Sequence, residues 1–210
     1  MRVNKVPVRV IICKARQWGG STLVQFYIFW IQNELRVAWN SVIVAEVERQ
    51  SKTITNMYQT AITNYPETIT LGSFQQTKDK VLKERQCVIS IGSMQNPESI
   101  RSQDISCCHA SEVGSWKKTE GKTPEDLMQT LLGSIIDSPD SVFVMESTAK
   151  GVGNFFHNEW LYAKEGKSAF EPFFLPWYEI ELYQKPITND VEKIYVQTGR
   201  ENIYLNGKYI

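Results

Sequence analysis

Short β-branched runs alternate along this chain with longer segments whose apolar residues recur every three to four positions. "VPVRVIIC" (6–13) predicts a buried strand. A polar, glycine-containing loop follows at 14–20, then a helix from about Ser21 to Arg36. "SVIVAEV" (41–47) predicts a second strand. In "ERQSKTITNMYQTAITNY" (48–65), Ile54, Tyr58, Ala61 and Ile62 share one helical face, and the helix stops before Pro66. "QCVISIG" (86–92), "ISCCHAS" (105–111) and "SVFVMES" (141–147) predict further strands. "TPEDLMQTLLGSIIDS" opens with Thr123 as N-cap, Pro124 at the first helical position and acidic residues in the first turn, all helix-start signals. "GNFFHNEWLYAKEG" predicts a helix closing at Gly166, and "FEPFFLPW" (170–177) a last extended run. Beyond Trp177 the pattern weakens, and "YLNGKYI" reads as an edge or a cut end. This alternation predicts an α/β fold with a mainly parallel sheet flanked by helices. One domain is expected over 1–180, with a tail over 181–210 that reads as the start of a lid or linker.

Composition narrows the class. With 42% hydrophobic residues in 210 the chain has material for one real core and is too apolar to be disordered. Lys plus Arg equals Asp plus Glu at 23 each, so global charge draws the chain to neither nucleic acid nor membrane. The basic residues Lys78, Lys80, Lys83, Arg85, Lys117 and Lys118 read as a solvated face. The apolar stretch "TLVQFYIFWIQNELRVAW" is interrupted by Gln25, Gln32, Asn33, Glu34 and Arg36, and reads as a buried helix, not a membrane span. The first residues never develop a signal-peptide core. Four cysteines without a C-x-x-C pair and only two histidines argue against zinc. Cys13, Cys107 and Cys108 lie in apolar strands and read as reduced core thiols, which fits a cytosolic setting.

The loop between the first strand and helix, "KARQWGGST" (14–22), carries the candidate chemistry. A phosphate-binding loop reads G-x-x-x-x-G-K-[ST]. Here Gly19 holds the second glycine position and Ser21 the hydroxyl position, but Gly20 stands where the lysine belongs and Lys14 where the first glycine belongs. Phosphate binding needs inward N–H groups, a helix N-terminus and a cation. Either Lys14 or Arg16 is placed to supply that cation, Arg16 as a planar fork and Lys14 as a point charge. Ser21, ahead of its neighbour Thr22, is the candidate hydroxyl for Mg²⁺. The bland alternative is an ordinary strand-to-helix turn. Downstream, "ISCCHASEVGSW" (105–116) is an apolar strand ending in Ser111-Glu112, where nucleotide hydrolases usually end in Asp-Glu. Glu112 is the candidate general base or water-orienting group. "VFVMESTAKGVGNFF" (142–156) ends a strand in a polar turn, where Thr148 is placed to sense the γ-phosphate; a plain capped turn is its alternative.

In order and spacing these segments resemble the ATPase domain of the tailed-phage large terminase subunit, a DNA-packaging motor. "KARQWGGSTL" is similar to that family's variant Walker A loop, "HASEVGSW" to its Walker B region, and "ESTAKGVGNFFHNEW" with "FEPFFLPWYE" to its coupling motif and following strand. The resemblance spans roughly residues 8–180. It implies a P-loop NTPase fold (RecA/ASCE-like), ATP and Mg²⁺ as cofactors, and ATP hydrolysis coupled to translocation of double-stranded DNA. By the same resemblance, Lys14, Ala15, Arg16, Gln17, Trp18, Gly19, Gly20, Ser21 and Thr22 line the phosphates. Arg16 touches the γ-phosphate, Ser21 and Glu112 serve the metal, and Glu112 is the catalytic carboxylate. Ser147 and Thr148 couple hydrolysis to movement. The implied partners are duplex DNA, a portal protein, a small terminase subunit and further copies in a ring, with no membrane, in the host cytoplasm at the procapsid. Ser111 stands where the family has its Walker B aspartate, so Glu112 is expected to cover both roles or to be helped by Asp104. The segment before the loop is short for the family, and the nuclease domain is expected to be absent. A remnant that binds nucleotide weakly or not at all is the alternative reading. A helicase-like ATPase is a third, disfavoured because helicase strands normally end in D-E-x-[DH].

Overall fold

The computed structural model describes residues 6–65, 80–95, 104–118, 121–183, 204–205 and 208–209. Pro66, Lys78 and most of the predicted tail lie outside them. Seven strands form one sheet: β1 (Val8–Lys14), β2 (Ser41–Ala45), β3 (Lys80–Leu82), β4 (Cys87–Ser93), β5 (Cys107–Ser111), β6 (Val142–Ser147) and β7 (Glu171–Leu175). Their spatial order is β3-β4-β2-β5-β6-β1-β7. Every pairing is parallel except β3 with β4. The mainly parallel α/β sheet expected from the alternation is therefore the observed one. The antiparallel β3 is an addition, three residues too short to show a pattern.

Side chains alternate across the sheet with a period of two. Ile11, Val42, Val44, Cys108, Ala110, Phe143 and Met145 pack on one face with α3 (Pro124–Ser134) and α4 (Phe155–Lys164). Ile43, Ile89, Cys107, Val142 and Val144 pack on the other with α1 (Gly20–Trp30) and α2 (Glu48–Thr63). Both faces are covered, which is why the strands read as continuous apolar runs.

The first helix departs from expectation in its last turns. Its α-helical part ends at Trp30, and Ile31–Leu35 continues as a π turn closed by Arg36 N–H to Ile31 O at 2.9 Å. Buried Gln32 accounts for the widening. Its amide donates to Trp39 O at 2.5 Å, and its carbonyl accepts from Tyr58 Oη at 2.6 Å, so a polar side chain is satisfied inside the core. The strand expected to reach Val47 ends at Ala45, because Val47 already serves as the N-cap position of α2. Among the described residues no helix is long and apolar enough to cross a membrane. Cys87, Cys107 and Cys108 are buried and Cys13 is half-buried, all as free thiols.

Candidate functional site: a carboxylate and lysine cluster at the sheet's C-terminal edge

Parallel strands deliver their C-terminal ends to one edge, where ligands of open α/β sheets bind. Here β1, β5 and β6 are neighbours, and the register pairs Ile12 with Glu146 and Ser111 with Glu146. Period-two alternation from Val142 and Val144 puts Glu146 on the face covered by α1. The same alternation carries His109 and Ser111 to that face from Cys107. Three polar side chains from two strands thus meet beneath the N-terminus of α1.

The loop into α1 is built from two left-handed residues, Gln17 at φ 54° and Gly19 at φ 81°. Ala15 N–H is tied to Leu175 O at 3.1 Å, which anchors the loop's start to β7. At its far end α1 begins at Gly20 without a side-chain cap or an acidic residue in its first turn. Its leading N–H groups therefore keep the positive character that suits an anion.

Gly20 explains itself sterically. A Cβ there would lie 2.6 Å from Trp18 Cε3 and 3.4 Å from Glu146 Oε2. The indole occupies the space into which a side chain at position 20 would grow, and this is why the usual lysine has no room. Gly20→Lys is expected to destabilise the fold by about 1–3 kcal/mol through overpacking, and Trp18→Ala in the same chain to restore much of that loss. Thermal melts of the three proteins check it; a Gly20→Lys protein as stable as the wild type would contradict the account.

Lys14, at the end of β1, turns its ammonium inward. Its side chain is 9% exposed, with Nζ 3.4 Å from Glu112 Oε1 and 3.5 Å from Glu146 Oε2. Arg16, by contrast, is exposed, and among the described residues its guanidinium makes no hydrogen bond or ion pair; its backbone carbonyl accepts from Tyr183 Oη at 2.8 Å. The sequence left Lys14 and Arg16 as equal candidates for the missing cation. The structure brings Lys14 to the cluster and leaves Arg16 at the rim. Gln17 is exposed and Trp18 half-buried over Gly20. Thr22 faces away, its hydroxyl against Met57 Sδ at 3.5 Å.

Glu112 adopts φ 53°, ψ 40°, a left-handed conformation uncommon outside glycine and frequent where a side chain is aimed at a site. Its Oε2 accepts from Thr148 Oγ1 at 3.3 Å, and its side chain remains 34% exposed. The turn that follows is stitched to its neighbours. Buried Trp116 donates its indole N–H to Ser111 O at 3.2 Å, and Gly114 N–H donates to Ser147 Oγ at 3.0 Å. Any Cβ at Gly114 would come within 2.8 Å of that Ser147 hydroxyl. Ser147 Oγ in turn donates a hydrogen bond to Thr148 O at 2.8 Å. Ser147 and Thr148 are thereby fixed relative to Glu112.

Glu146 is the residue that sequence reasoning missed. It is fully buried. Its Oε1 accepts from Ser21 Oγ at 2.5 Å and from Ser111 Oγ at 3.0 Å. His109 Nε2 lies 3.1 Å from the same oxygen. The other ring nitrogen of His109 meets the Gln25 amide at 2.7 Å. Burial alone would push the Glu146 carboxyl up, but His109, the Lys14 ammonium and the Ser21 hydroxyl outweigh it and bring it down from 4.5 to about 2. A carboxyl lowered on folding contributes stability above its unfolded value and loses it as pH falls from about 4.5 towards 2. Stability is expected to drop across that window more steeply in the wild type than in Glu146→Gln, as measured by urea midpoints against pH; equal slopes would contradict it. The signal available beforehand was a charged residue inside an apolar strand, since a buried carboxylate must be paired.

Asp104, expected as a possible helper, precedes β5 and lies at the opposite end of that strand, where its carbonyl accepts from Asn40. It cannot reach Glu112. The cleft beside the cluster, about 430 Å³ in volume, runs between Lys14, Arg16, Thr148, Phe174, Trp177 and Tyr183, within the size range of small-molecule sites.

No family model and no curated protein matches this sequence. Solved structures do. The large terminase of bacteriophage HK97 superposes with a TM-score of 0.64 at 13% identity, over 90% of this chain and 38% of that one. The ATPase domain of the Thermus phage P74-26 large terminase gives 0.60 at 15% identity, over 90% of this chain and 80% of that domain. The large terminase of a thermophilic bacteriophage, solved in complex with ATP-gamma-S, gives 0.59 at 10% identity, over 100% of this chain and 47% of that one. The chain thus spans well under two thirds of the full-length terminases it matches. At these identities the likeness is one of fold, and the chain has the P-loop-like α/β fold of the large-terminase ATPase domains.

Proposed function

We propose that this chain is an ATP hydrolase of the packaging-motor type, and that it drives double-stranded viral DNA into a procapsid. The observation that carries the reading is the meeting of Lys14, Ser21, Glu112 and Thr148 at one edge of the sheet, beside an uncapped helix N-terminus. A lysine between two carboxylates is poised to move onto phosphate oxygens when they arrive. The thermophilic-phage terminase solved in complex with ATP-gamma-S has the same fold, which supports a nucleotide as the ligand.

In the proposed reaction the loop N–H groups and Lys14 hold the β- and γ-phosphates. Glu112 orients a water molecule in line with the γ-phosphorus and accepts its proton. The new P–O bond forms as the bridging P–O bond to ADP breaks, and phosphate is released. Mg²⁺, when bound, neutralises charge on the phosphate oxygens; Ser21 supplies it a hydroxyl. Thr148, hydrogen-bonded to Glu112, reports the state of the γ-phosphate to the β6–α4 turn, and Arg16 adds charge from the rim. Duplex DNA would be held mainly through its backbone phosphates, insensitive to sequence and sensitive to salt. A portal protein, a small terminase subunit and further copies in a ring complete the proposed assembly.

The test is steady-state ATP turnover by the purified chain with Mg²⁺, with and without duplex DNA. Turnover raised by DNA is the expected result. A folded chain that neither binds nor hydrolyses ATP, alone or joined to the rest of a terminase, overturns the reading.

A further inference from the structure

We infer that Glu146, on β6, is the carboxylate that serves the nucleotide's divalent cation, in place of an acidic residue at the end of β5. The inference rests on the nucleotide reading above and deepens it. Its ground is geometric. Position 111, at the end of β5, is a serine, which brings no carboxylate to that strand end. The strand register places Glu146 directly beside Ser111. Ser111 donates to Glu146 Oε1, and so does Ser21 from the first turn of α1. The carboxylate has moved over by one strand and still meets the hydroxyl of the phosphate loop.

The remaining lone pairs point the same way. Ser21 donates its proton to Glu146, which leaves its oxygen lone pairs free to bind a cation. Glu146 Oε2 is fully buried without a hydrogen-bond donor, and it faces Gly20 in the loop at 3.4 Å from where a Cβ would stand. Among the described residues its charge contact there is Lys14, at 3.5 Å. A buried carboxylate oxygen aimed at a phosphate loop and partnered there by an ammonium is a fitting place for a cation. The donors are oxygens, one charged and one hydroxyl, the set that suits Mg²⁺ with phosphates and water completing its shell. Among the described residues no group of three His, Cys, Asp or Glu stands together as a cage, so such a shared shell is the arrangement that the chain offers.

Glu112 does not fit that position. It is one-third exposed, its oxygens are engaged by Lys14 and Thr148, and among the described residues it makes no contact with Ser21. Assigning the cation to Glu146 leaves Glu112 free to handle water, so two carboxylates divide two tasks.

The test is titration calorimetry of ATP binding with and without Mg²⁺. In the wild type Mg²⁺ is expected to tighten binding. Glu146→Gln, which keeps the shape of the side chain, is expected to lose about tenfold or more of that tightening, while binding of metal-free ATP persists. Glu112→Gln is expected to keep it. Adding Ser111→Asp to Glu146→Gln should restore much of the loss, because it returns a carboxylate beside the same hydroxyl. A measurement on the unmutated chain needs no variant to fold: Mn²⁺ with ATP should broaden the carboxyl carbon resonance of Glu146 more than that of Glu112. Full tightening in Glu146→Gln with loss in Glu112→Gln, or stronger broadening at Glu112, overturns the inference while leaving the nucleotide reading intact. A wild-type chain that takes up no nucleotide overturns both.

Discussion

Glu112→Gln should bind ATP with near-unchanged affinity and turn it over about 100- to 10,000-fold more slowly, the range spanned by loss of a positioned proton acceptor. The expectation follows from where Glu112 sits. It ends β5 in a left-handed turn, stays partly open to water and accepts a hydrogen bond from Thr148. Glutamine preserves the shape and most of the hydrogen bonding but cannot take a proton. Binding should survive, because the proposed phosphate contacts come from the loop, Lys14 and Ser21. Pre-steady-state hydrolysis alongside an equilibrium binding curve separates the two effects. Equal loss of both would mean that Glu112 organises the site and does not act on water.

Lys14→Ala is the second large effect. The ammonium is nearly buried and stands between Glu112 and Glu146. Its removal leaves a fully buried carboxylate short of a counter-charge, and breaking a buried pair costs on the order of 3 kcal/mol. The contact with Glu112 adds little to that figure, since solvent screens a carboxylate one-third exposed. The same change removes the cation proposed to hold the phosphates, so nucleotide affinity should fall steeply as well. Arg16→Ala should leave stability almost untouched, because the side chain is exposed and unengaged among the described residues. Chemical denaturation of both variants, with nucleotide affinity measured on the folded samples, tests the contrast. A larger effect from Arg16 than from Lys14 would move the displaced cation back to the rim of the loop.

Much of this architecture was legible from the chain. β1, the loop and α1 announce themselves through a β-branched run followed by Gly-Gly-Ser-Thr, and Glu112 through its place at the end of an apolar strand. What was hidden has physical reasons. The π turn after Trp30 depends on tertiary bonds of Gln32 to Trp39 and Tyr58, which local spacing does not encode. β3 is three residues long and exists by pairing with β4. The order of parallel strands leaves no trace in alternation, because both faces are covered. Glu146 was hidden for the same reason: it ends a run read as core, and its partners Ser21, Ser111 and Lys14 arrive from two other strands and a helix. The choice between Lys14 and Arg16 likewise turned on side-chain direction at the end of β1, which a motif's spacing does not carry.

In the proposed reading residues 14–22 form a phosphate cradle. It is tested most directly by following the backbone amide resonances of the labelled chain while ATP with Mg²⁺ is added. The resonances of Arg16 through Thr22 should shift first and saturate together, with Glu112 and Thr148 following. Shifts confined to other parts of the sheet, or no saturable change at Gly19, Gly20 and Ser21, would contradict it.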